Sequence, residues 1–303
     1  MTLVVARRSI DGRIRVIADM RLMDHWNIKR GYPHAVLKNI ILDRDLLVAY
    51  AGNASFAVDT IREYRDQRGD TLASGLLDAA ERAGEGKDGV EFLVADVQRG
   101  LFRVRHSGVE PAGQATWIGD PDAFEFYQQL YHGMPKPQVI TLETENGPPP
   151  EPYPDTPDTE AFLRMSGAIG NIQFFKHGPS DMEIPALDTV GEAFISAFSA
   201  PEGFHYEPQA MLSASHDQVI EGPEWTTLNW GNVATGGFGF AQLSPSETGV
   251  GLVGLYFAHA GLGLIYHPLA WDGPIFYRHI THDEFLRAVE EDHAVAIDGA
   301  RIS

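Results

Sequence analysis

Leu3 to Asp19 read LVVARRSIDGRIRVIAD, two runs of aliphatic and β-branched residues on either side of an Asp11-Gly12 pair. Such a pair between two apolar runs is typical of a tight hairpin turn, because glycine tolerates the positive φ that the turn requires. We therefore predict a β-hairpin with strands at Leu3–Arg8 and Arg13–Asp19.

The same alternation of short apolar runs and turn signals continues through the first third of the chain. Two more hairpins are predicted, and two helices lie between them where apolar residues recur every three or four positions. The predicted strands are Leu37–Leu42, Leu46–Ala51, Val90–Val97 and Leu101–His106, and the predicted helices are Ser55–Gln67 and Thr71–Ala83. The order is therefore hairpin, hairpin, two helices, hairpin.

A proline-rich stretch interrupts this pattern. Residues 133–160 contain GMPKP and GPPPEPYPDTP. Proline fixes φ and removes a backbone donor, so the stretch is predicted to be a loop or an extended linker. Because strand-like runs resume after it, we interpret it as an insertion at about 133–185 within a single domain spanning residues 1–303. A boundary between two domains is the alternative.

Two further helices are predicted in the second half. Asp188–Phe198 aligns Val190, Phe194 and Phe198 on one helical face. The last helix begins at Thr281-His282-Asp283-Glu284, which has the form of a capping box. His279, His282 and Asp283 are residue types that bind metals, but at a helix start a polar cap is the simpler interpretation, and we expect no metal site there.

The remaining apolar runs are predicted to be strands. One is Val233–Leu243, and the other, Gly249–Tyr266, is long enough to raise the question of a membrane span. Its many glycines and the central His259 favour two buried strands joined by a tight connection.

Composition excludes several classes of function. The chain has 303 residues, no cysteine and a formal net charge of −19, which repels nucleic acid and anionic membranes. The lack of cysteine removes disulfides, thiolate metal sites and a cysteine nucleophile. No metalloprotease, nucleotide-binding or α/β-hydrolase motif is present in the sequence, so we expect no cofactor. The first apolar run is short and meets Arg7 and Arg8 at once, unlike a secretory signal, so a cytoplasmic protein is expected.

Thr2 is the first candidate for chemistry. Its side chain is small enough for removal of Met1, which would leave Thr2 with a free α-amine. An α-amine titrates near about 8 and can take the proton from the hydroxyl of its own residue, which makes an acyl-transfer nucleophile without a histidine. Many chains begin Met-Thr without being catalytic, so the neighbouring motifs have to carry the argument.

Three further residues, together with Thr2, occur in an order that resembles that of a known family. Asp19 ends the second predicted strand in VIADMR, and Lys38 and Gly52 are the third and the last residue of VLKNIILDRDLLVAYAG. With the opening Thr2 and the Arg7-Arg8 pair, this order resembles the proteasome β-subunit and HslV group of Ntn (N-terminal nucleophile) hydrolases. In that family a Thr opens the first strand, an Asp ends the second, a Lys precedes the third, and a Gly follows in an Ala-Gly dipeptide. The resemblance covers roughly residues 2–131, and more loosely the tail from Ala234.

The resemblance implies a role for each residue. Lys38 would favour the deprotonated oxygen of Thr2, Asp19 would orient Lys38, and the backbone N–H of Gly52 would bind the oxyanion. The segment ATWIGDPDAFEFYQQL resembles the family's strand-to-helix turn, with Asp120 where the family has a Ser that assists the α-amine. A carboxylate there can accept a proton or a hydrogen bond. The family's last Asp and Ser have no clear counterparts.

For the whole protein the resemblance implies an α+β fold, a four-layer αββα sandwich of two antiparallel sheets. It implies an N-terminal threonine amidohydrolase or peptidase that acts through Thr2 on a peptide or small amide substrate. It also implies a homo-oligomer, because the family assembles into rings. Two alternatives stay open: a small-molecule amidase without ring architecture, and a catalytically inactive scaffold or ligand-binding protein of the same fold, which Asp120 favours.

Overall fold

The first predicted hairpin is present in the computed structural model. Its strands, β1 (Leu3–Arg8) and β2 (Ile14–Met20), pair antiparallel, and Gly12 in the turn has a φ of 91°. The structure describes residues 2–20, 37–85, 89–133, 157–177, 193–201, 203–207, 216–221, 226–230, 238–243, 252–257, 261–267, 269 and 275–293.

Three more strands complete the sheet that contains this hairpin, here called sheet I. They are β8 (Ala115–Gly119), β9 (Ala193–Ala200) and β10 (Gly203–Glu207). The order is β10-β9-β2-β1-β8, and every pairing is antiparallel. β1 therefore has a partner on both sides, which fixes the strand that follows Thr2.

A second antiparallel sheet, sheet II, contains the other predicted hairpins and one strand that the sequence did not predict, β7. Its strands run in chain order: β3 (Asn39–Asp43), β4 (Leu46–Gly52), β5 (Val90–Asp96), β6 (Gly100–Arg105) and β7 (Gly108–Ala112). Alternate residues of the two sheets, such as Val4, Val16, Leu47 and Leu93, form one buried cluster between them. Each such side chain contributes about 1.5–3 kcal/mol on burial.

The helix predicted at Asp188–Phe198 is wrong over the residues that the structure describes, which form β9. Phe194 packs on the outer face of sheet I with Phe198, whereas Ile195 and Ala197 lie in the cluster between the sheets. A spacing of four residues puts two side chains on one face of a helix, but also on one face of a strand, because four is a multiple of two. Val190 lies outside the described residues.

Two helices cover each of these two sheets. On sheet II lie α1 (Ala54–Tyr64) and α2 (Gly69–Ala83), both predicted, and on the outer face of sheet I lie α3 (Pro121–Gly133) and α4 (Pro157–His177). The layers are helix, sheet, sheet, helix, which confirms the predicted αββα sandwich.

The proline-rich insertion is partly within the described residues. α4 lies inside the predicted range of about 133–185, and its Phe162, Met165 and Ile169 are buried against sheet I. Residues 134–156 and 178–192 lie outside the described part. The loop or extended linker predicted up to residue 160 is therefore wrong from Pro157 onward, because the chain there begins a helix whose apolar residues cover the sheet.

A third antiparallel sheet, sheet III, adds to the sandwich. Its strands run in chain order: β11 (His216–Glu221), β12 (Thr226–Trp230), β13 (Phe238–Leu243), β14 (Leu252–Phe257), β15 (Leu262–Tyr266) and β16 (Ile275–Arg278). The run Gly249–Tyr266 supplies β14 and β15, two antiparallel strands as predicted. Within the described ranges, no helix is long and apolar enough to cross a membrane.

α5 (His282–His293) ends the described chain and has the predicted capping box. The N–H of Thr281 donates to Glu284 at 2.8 Å, and the N–H of Glu284 donates back to the Thr281 hydroxyl at 3.3 Å. Phe285 on this helix packs over Gly263 of β15, where a side chain would leave no room for its ring.

Candidate active site

Thr2 lies immediately before β1 and is 3% exposed. Its carbonyl oxygen accepts a hydrogen bond from the backbone N–H of Asp120 at 2.8 Å. β8 approaches this closely because Gly119 has a φ of 108° and no side chain. A Cβ at Gly119 would lie 1.9 Å from the Thr2 carbonyl oxygen. The turn between β8 and α3 therefore holds the backbone of Thr2 in place.

The Asp19 carboxylate connects three strands at this point. One oxygen accepts the backbone N–H of Leu3 at 2.8 Å, and the other accepts the Lys38 ammonium at 2.7 Å. The Asp19 side chain is fully buried and that of Lys38 is 6% exposed. Breaking a buried ion pair leaves a charge that is neither paired nor hydrated. Asp19 thus fixes both the residue that follows Thr2 and the ammonium of Lys38.

Gly52 ends β4 beside these residues. It has a φ of 102°, and a Cβ would lie 2.0 Å from the carbonyl oxygen of Gly89. The Cβ of Ala51 lies 3.5 Å from the position that a Cβ would occupy at Gly119. Close backbone approach therefore requires a glycine at position 52. Its predicted role in oxyanion binding stays a prediction.

Asp120 caps α3. Its Oδ1 accepts the backbone N–H groups of Asp122 at 2.9 Å and Ala123 at 3.2 Å, which are free donors at a helix start. Within the described residues its other carboxylate oxygen makes no hydrogen bond. Asp120 thus contacts Thr2 through its backbone, and one oxygen is left over for the predicted role toward the α-amine, which stays a prediction.

All five predicted site residues lie at one end of the αββα sandwich. The antiparallel register sets the start of β1 beside the ends of β2 and β8, and the residue before β3 beside the end of β4. The five are Thr2, Asp19, Lys38, Gly52 and Asp120. Hydrogen bonds join Thr2 to Asp120, and Asp19 to Leu3 and Lys38.

Glu91, which the sequence pattern did not single out, supports the same turn. Its carboxylate accepts the backbone N–H of Gly119 at 3.0 Å and lies 2.8 Å from Nε of Arg105. The guanidinium groups of Arg103 and Arg105 lie over the ring of Trp117, at 4.6 and 5.9 Å from its centre. The available signal was an acidic residue in the otherwise apolar run VEFLVA, on the face of β5 that points toward the other sheet.

Tyr50 was also missed. It is fully buried on β4, its backbone N–H donates to the carbonyl of Lys38 at 3.2 Å, and its hydroxyl has no hydrogen-bond partner in the described part of the chain. Burial, with the negative charge of Asp19 as a second cause, raises the pKa of the Tyr50 hydroxyl well above its usual value. Tyr50 is therefore neutral at pH 7.

No metal site is described at the start of α5. His279 has a φ of 58°, and Thr281 and Glu284 hold the helix start that follows it. Among the described residues, no group of three or more His, Asp or Glu side chains is arranged to hold a metal ion.

Comparison with known proteins finds similarity only among solved structures. No protein-family model matches the sequence, and no curated protein matches it significantly. Among solved structures, the crystal structure of eukaryotic HslV from Trypanosoma brucei is similar, with a TM-score of 0.38 and 12% sequence identity. The match covers 65% of this chain and 98% of that chain. At this identity the similarity concerns the fold alone.

Proposed function

We propose that the protein is an N-terminal threonine amidohydrolase, which cleaves a peptide or small amide by acyl transfer through Thr2 once Met1 is removed. The observation that supports this best is the chain of contacts from the Leu3 N–H through Asp19 to Lys38, directly beside a buried Thr2. Those residue types, in that order, are the ones on which the resemblance to Ntn hydrolases rests.

The proposed reaction needs no group outside the chain except water. The α-amine of Thr2 takes the proton from Oγ1 as Oγ1 attacks the carbonyl carbon of the substrate. The ammonium so formed returns the proton to the leaving nitrogen as the C–N bond breaks, which leaves an acyl ester on Oγ1. The amine then takes a proton from a water molecule as the water oxygen attacks the ester carbonyl, and it returns that proton to Oγ1 as the bond between the carbonyl carbon and Oγ1 breaks, which releases the acid and restores Thr2.

The other residues serve this reaction through charge and position. The ammonium of Lys38 favours the developing negative charge on Oγ1, and Asp19 pairs with that ammonium and orients it. The N–H of Gly52 is proposed as the oxyanion donor. The second oxygen of Asp120 is proposed to accept a hydrogen bond from the α-amine.

A catalytically inactive scaffold of the same fold is the second candidate. The observation that favours it is the use of the Asp120 carboxylate as a helix cap, since one of its oxygens is occupied by backbone donors. The expected homo-oligomer belongs to either candidate and is proposed on the resemblance alone.

The first experiment measures the intact mass of protein purified from its native host, together with hydrolysis of a panel of fluorogenic acyl-amides. The enzyme hypothesis expects loss of Met1 and measurable turnover. Retention of Met1 in all molecules would leave Thr2 without a free amine and would shift the assignment to the scaffold.

Substitutions at Thr2 then test the nucleophile. Thr2→Val keeps the shape but removes the hydroxyl, so turnover should fall by at least about 1,000-fold, whereas Thr2→Ser should keep a measurable part. Thr71→Val on the exposed face of α2 is the matched control and should leave turnover unchanged. Full activity of Thr2→Val would refute the assignment of Thr2.

A further inference from the structure

A cavity of about 310 Å³, broadly open to solvent, lies on the outer face of sheet I, where the end of β1 meets α3 and α4. Its lining residues are Arg7, Tyr131, His132, Glu160, Ala161 and Arg164. Arg7 is five residues along the chain from Thr2, about 17 Å at the usual rise of about 3.3 Å per strand residue. The cavity is therefore separate from the candidate active site.

Arg7 lacks a counter-charge in the described part of the chain. It is half-buried, its Nε is buried without a hydrogen-bond partner, and its side chain forms no ion pair with any described residue. Guanidinium is always charged near neutral pH and carries five N–H donors. A half-buried guanidinium of this kind normally meets a carboxylate, a carbonyl or a bound anion.

The second arginine of the cavity is held differently. Arg164 donates through Nε to Glu160 at 3.0 Å, its Nη2 lies 2.9 Å from the same carboxylate, and its Nη1 donates to the carbonyl of Tyr131 at 3.3 Å. Glu160 thus pairs with Arg164, and the cavity keeps one excess positive charge from Arg7. This positive site occurs in a chain whose net charge is −19.

We propose that this cavity binds a small oxyanion of the phosphate class, with Arg7 as its principal donor. The volume equals that of roughly ten water molecules at about 30 Å³ each, which accommodates a phosphate group and several waters. A planar guanidinium matches two phosphate oxygens at once. The source is either inorganic phosphate or the phosphate of an ester, and both present the same chemistry to Arg7.

Calorimetric titration of the full chain with inorganic phosphate, and separately with methyl phosphate, tests the proposal at constant ionic strength. Arg7→Gln should weaken binding at least tenfold. Arg8→Gln is the matched control, because Arg8 is the next residue on β1, is equally half-buried and donates to the carbonyl of Val97 instead. Its affinity should equal that of the wild type. The tighter of the two ligands identifies the source.

Two results would overturn the proposal: no saturable binding of either ligand by the wild type at millimolar concentration, or equal binding by the Arg7→Gln and Arg8→Gln variants. If the Arg7→Gln variant does not fold, NMR spectroscopy of the wild type provides a second test. In the wild type, the NMR signal of the Arg7 Nε–H should shift with phosphate, whereas that of Arg8 should not. Thr2→Val protein should bind phosphate like the wild type, so this test is independent of the proposed catalytic function.

Discussion

The Asp19–Lys38 pair offers the sharpest test of how the candidate site is held. Asp19→Asn keeps an oxygen for the Leu3 N–H but removes the charge that faces the Lys38 ammonium at 2.7 Å. Lys38→Met removes the ammonium and keeps an apolar chain of similar length. Because both side chains are buried, each single substitution leaves a charge without its partner, which costs about 3–5 kcal/mol in buried pairs.

The double variant, Asp19→Asn with Lys38→Met, contains neither charge. Its free energy of unfolding should therefore fall by at least about 2 kcal/mol less than the sum of the two single changes. Urea unfolding at pH 7, followed by circular dichroism, measures all four proteins. The coupling energy of the two side chains is the difference between the effect of the double variant and the sum of the two single effects, as in any double-mutant cycle.

The chain provides a matched pair on its surface. Arg68 and Asp43 lie 2.8 Å apart, almost the same distance, but their side chains are 46% and 50% exposed. The same cycle on this pair should give a coupling below about 1 kcal/mol, because water and salt screen it. If the single variants at Asp19 and Lys38 each cost less than about 1 kcal/mol and add without coupling, the buried pair does not hold the site.

Three further predictions concern the surroundings of the site and the pH dependence of stability. Gly52→Ala should lower the free energy of unfolding in urea by more than about 2 kcal/mol, because the positive φ of Gly52 and the nearby Gly89 carbonyl both oppose a side chain. Gly113→Ala is the control: Gly113 has open space around it, so the unfolding midpoint should change little. Glu91→Ala should cost about 1–3 kcal/mol in the same assay and lower turnover, and Glu91→Gln should recover part of both because an amide oxygen still accepts the Gly119 N–H. The hydrogen bond and the charge of Arg68 lower the pKa of Asp43 below its usual value of 3.8. The stability that this pair contributes is therefore fully present above pH 3.8 and is lost as the pH falls through the lowered pKa. Arg68→Met should destabilise the protein at pH 7, and the difference from the wild type should disappear in unfolding experiments at acid pH.

Elements with a local signal were predictable from the sequence. Asp11-Gly12 specifies a turn through the φ that glycine permits, and Thr281 with Glu284 specifies a helix start through two reciprocal hydrogen bonds. The hairpin turn and the capping box each depend on residues no more than four positions apart, so the local sequence is enough to predict them.

Elements that depend on distant partners were less predictable. Phe194 and Phe198 share one face in a helix and in a strand alike, and the choice is made by β2, about 180 positions earlier in the chain, which pairs with β9. Glu91 has no local signal of function, because its importance arises from the N–H of Gly119 on another sheet. For Asp120, a capping role follows from its place before a helix, but its contact with Thr2 depends on the pairing of β1 with β8.

The energetics of the Asp19–Lys38 pair bear on the choice between enzyme and scaffold. Replacing a buried ion pair by apolar residues of similar volume is often neutral or stabilising, so such a pair is a poor way to hold a fold together. A scaffold would therefore be served as well by two aliphatic side chains at these positions, in the apolar surroundings of β2 and β3. In the proposed acyl-transfer site, by contrast, a positive charge beside the nucleophile has a use, and a carboxylate that also anchors the Leu3 N–H sets that charge relative to Thr2. For this reason the pair favours the enzyme, and the double variant should be inactive although it is destabilised by less than the sum of the two single changes.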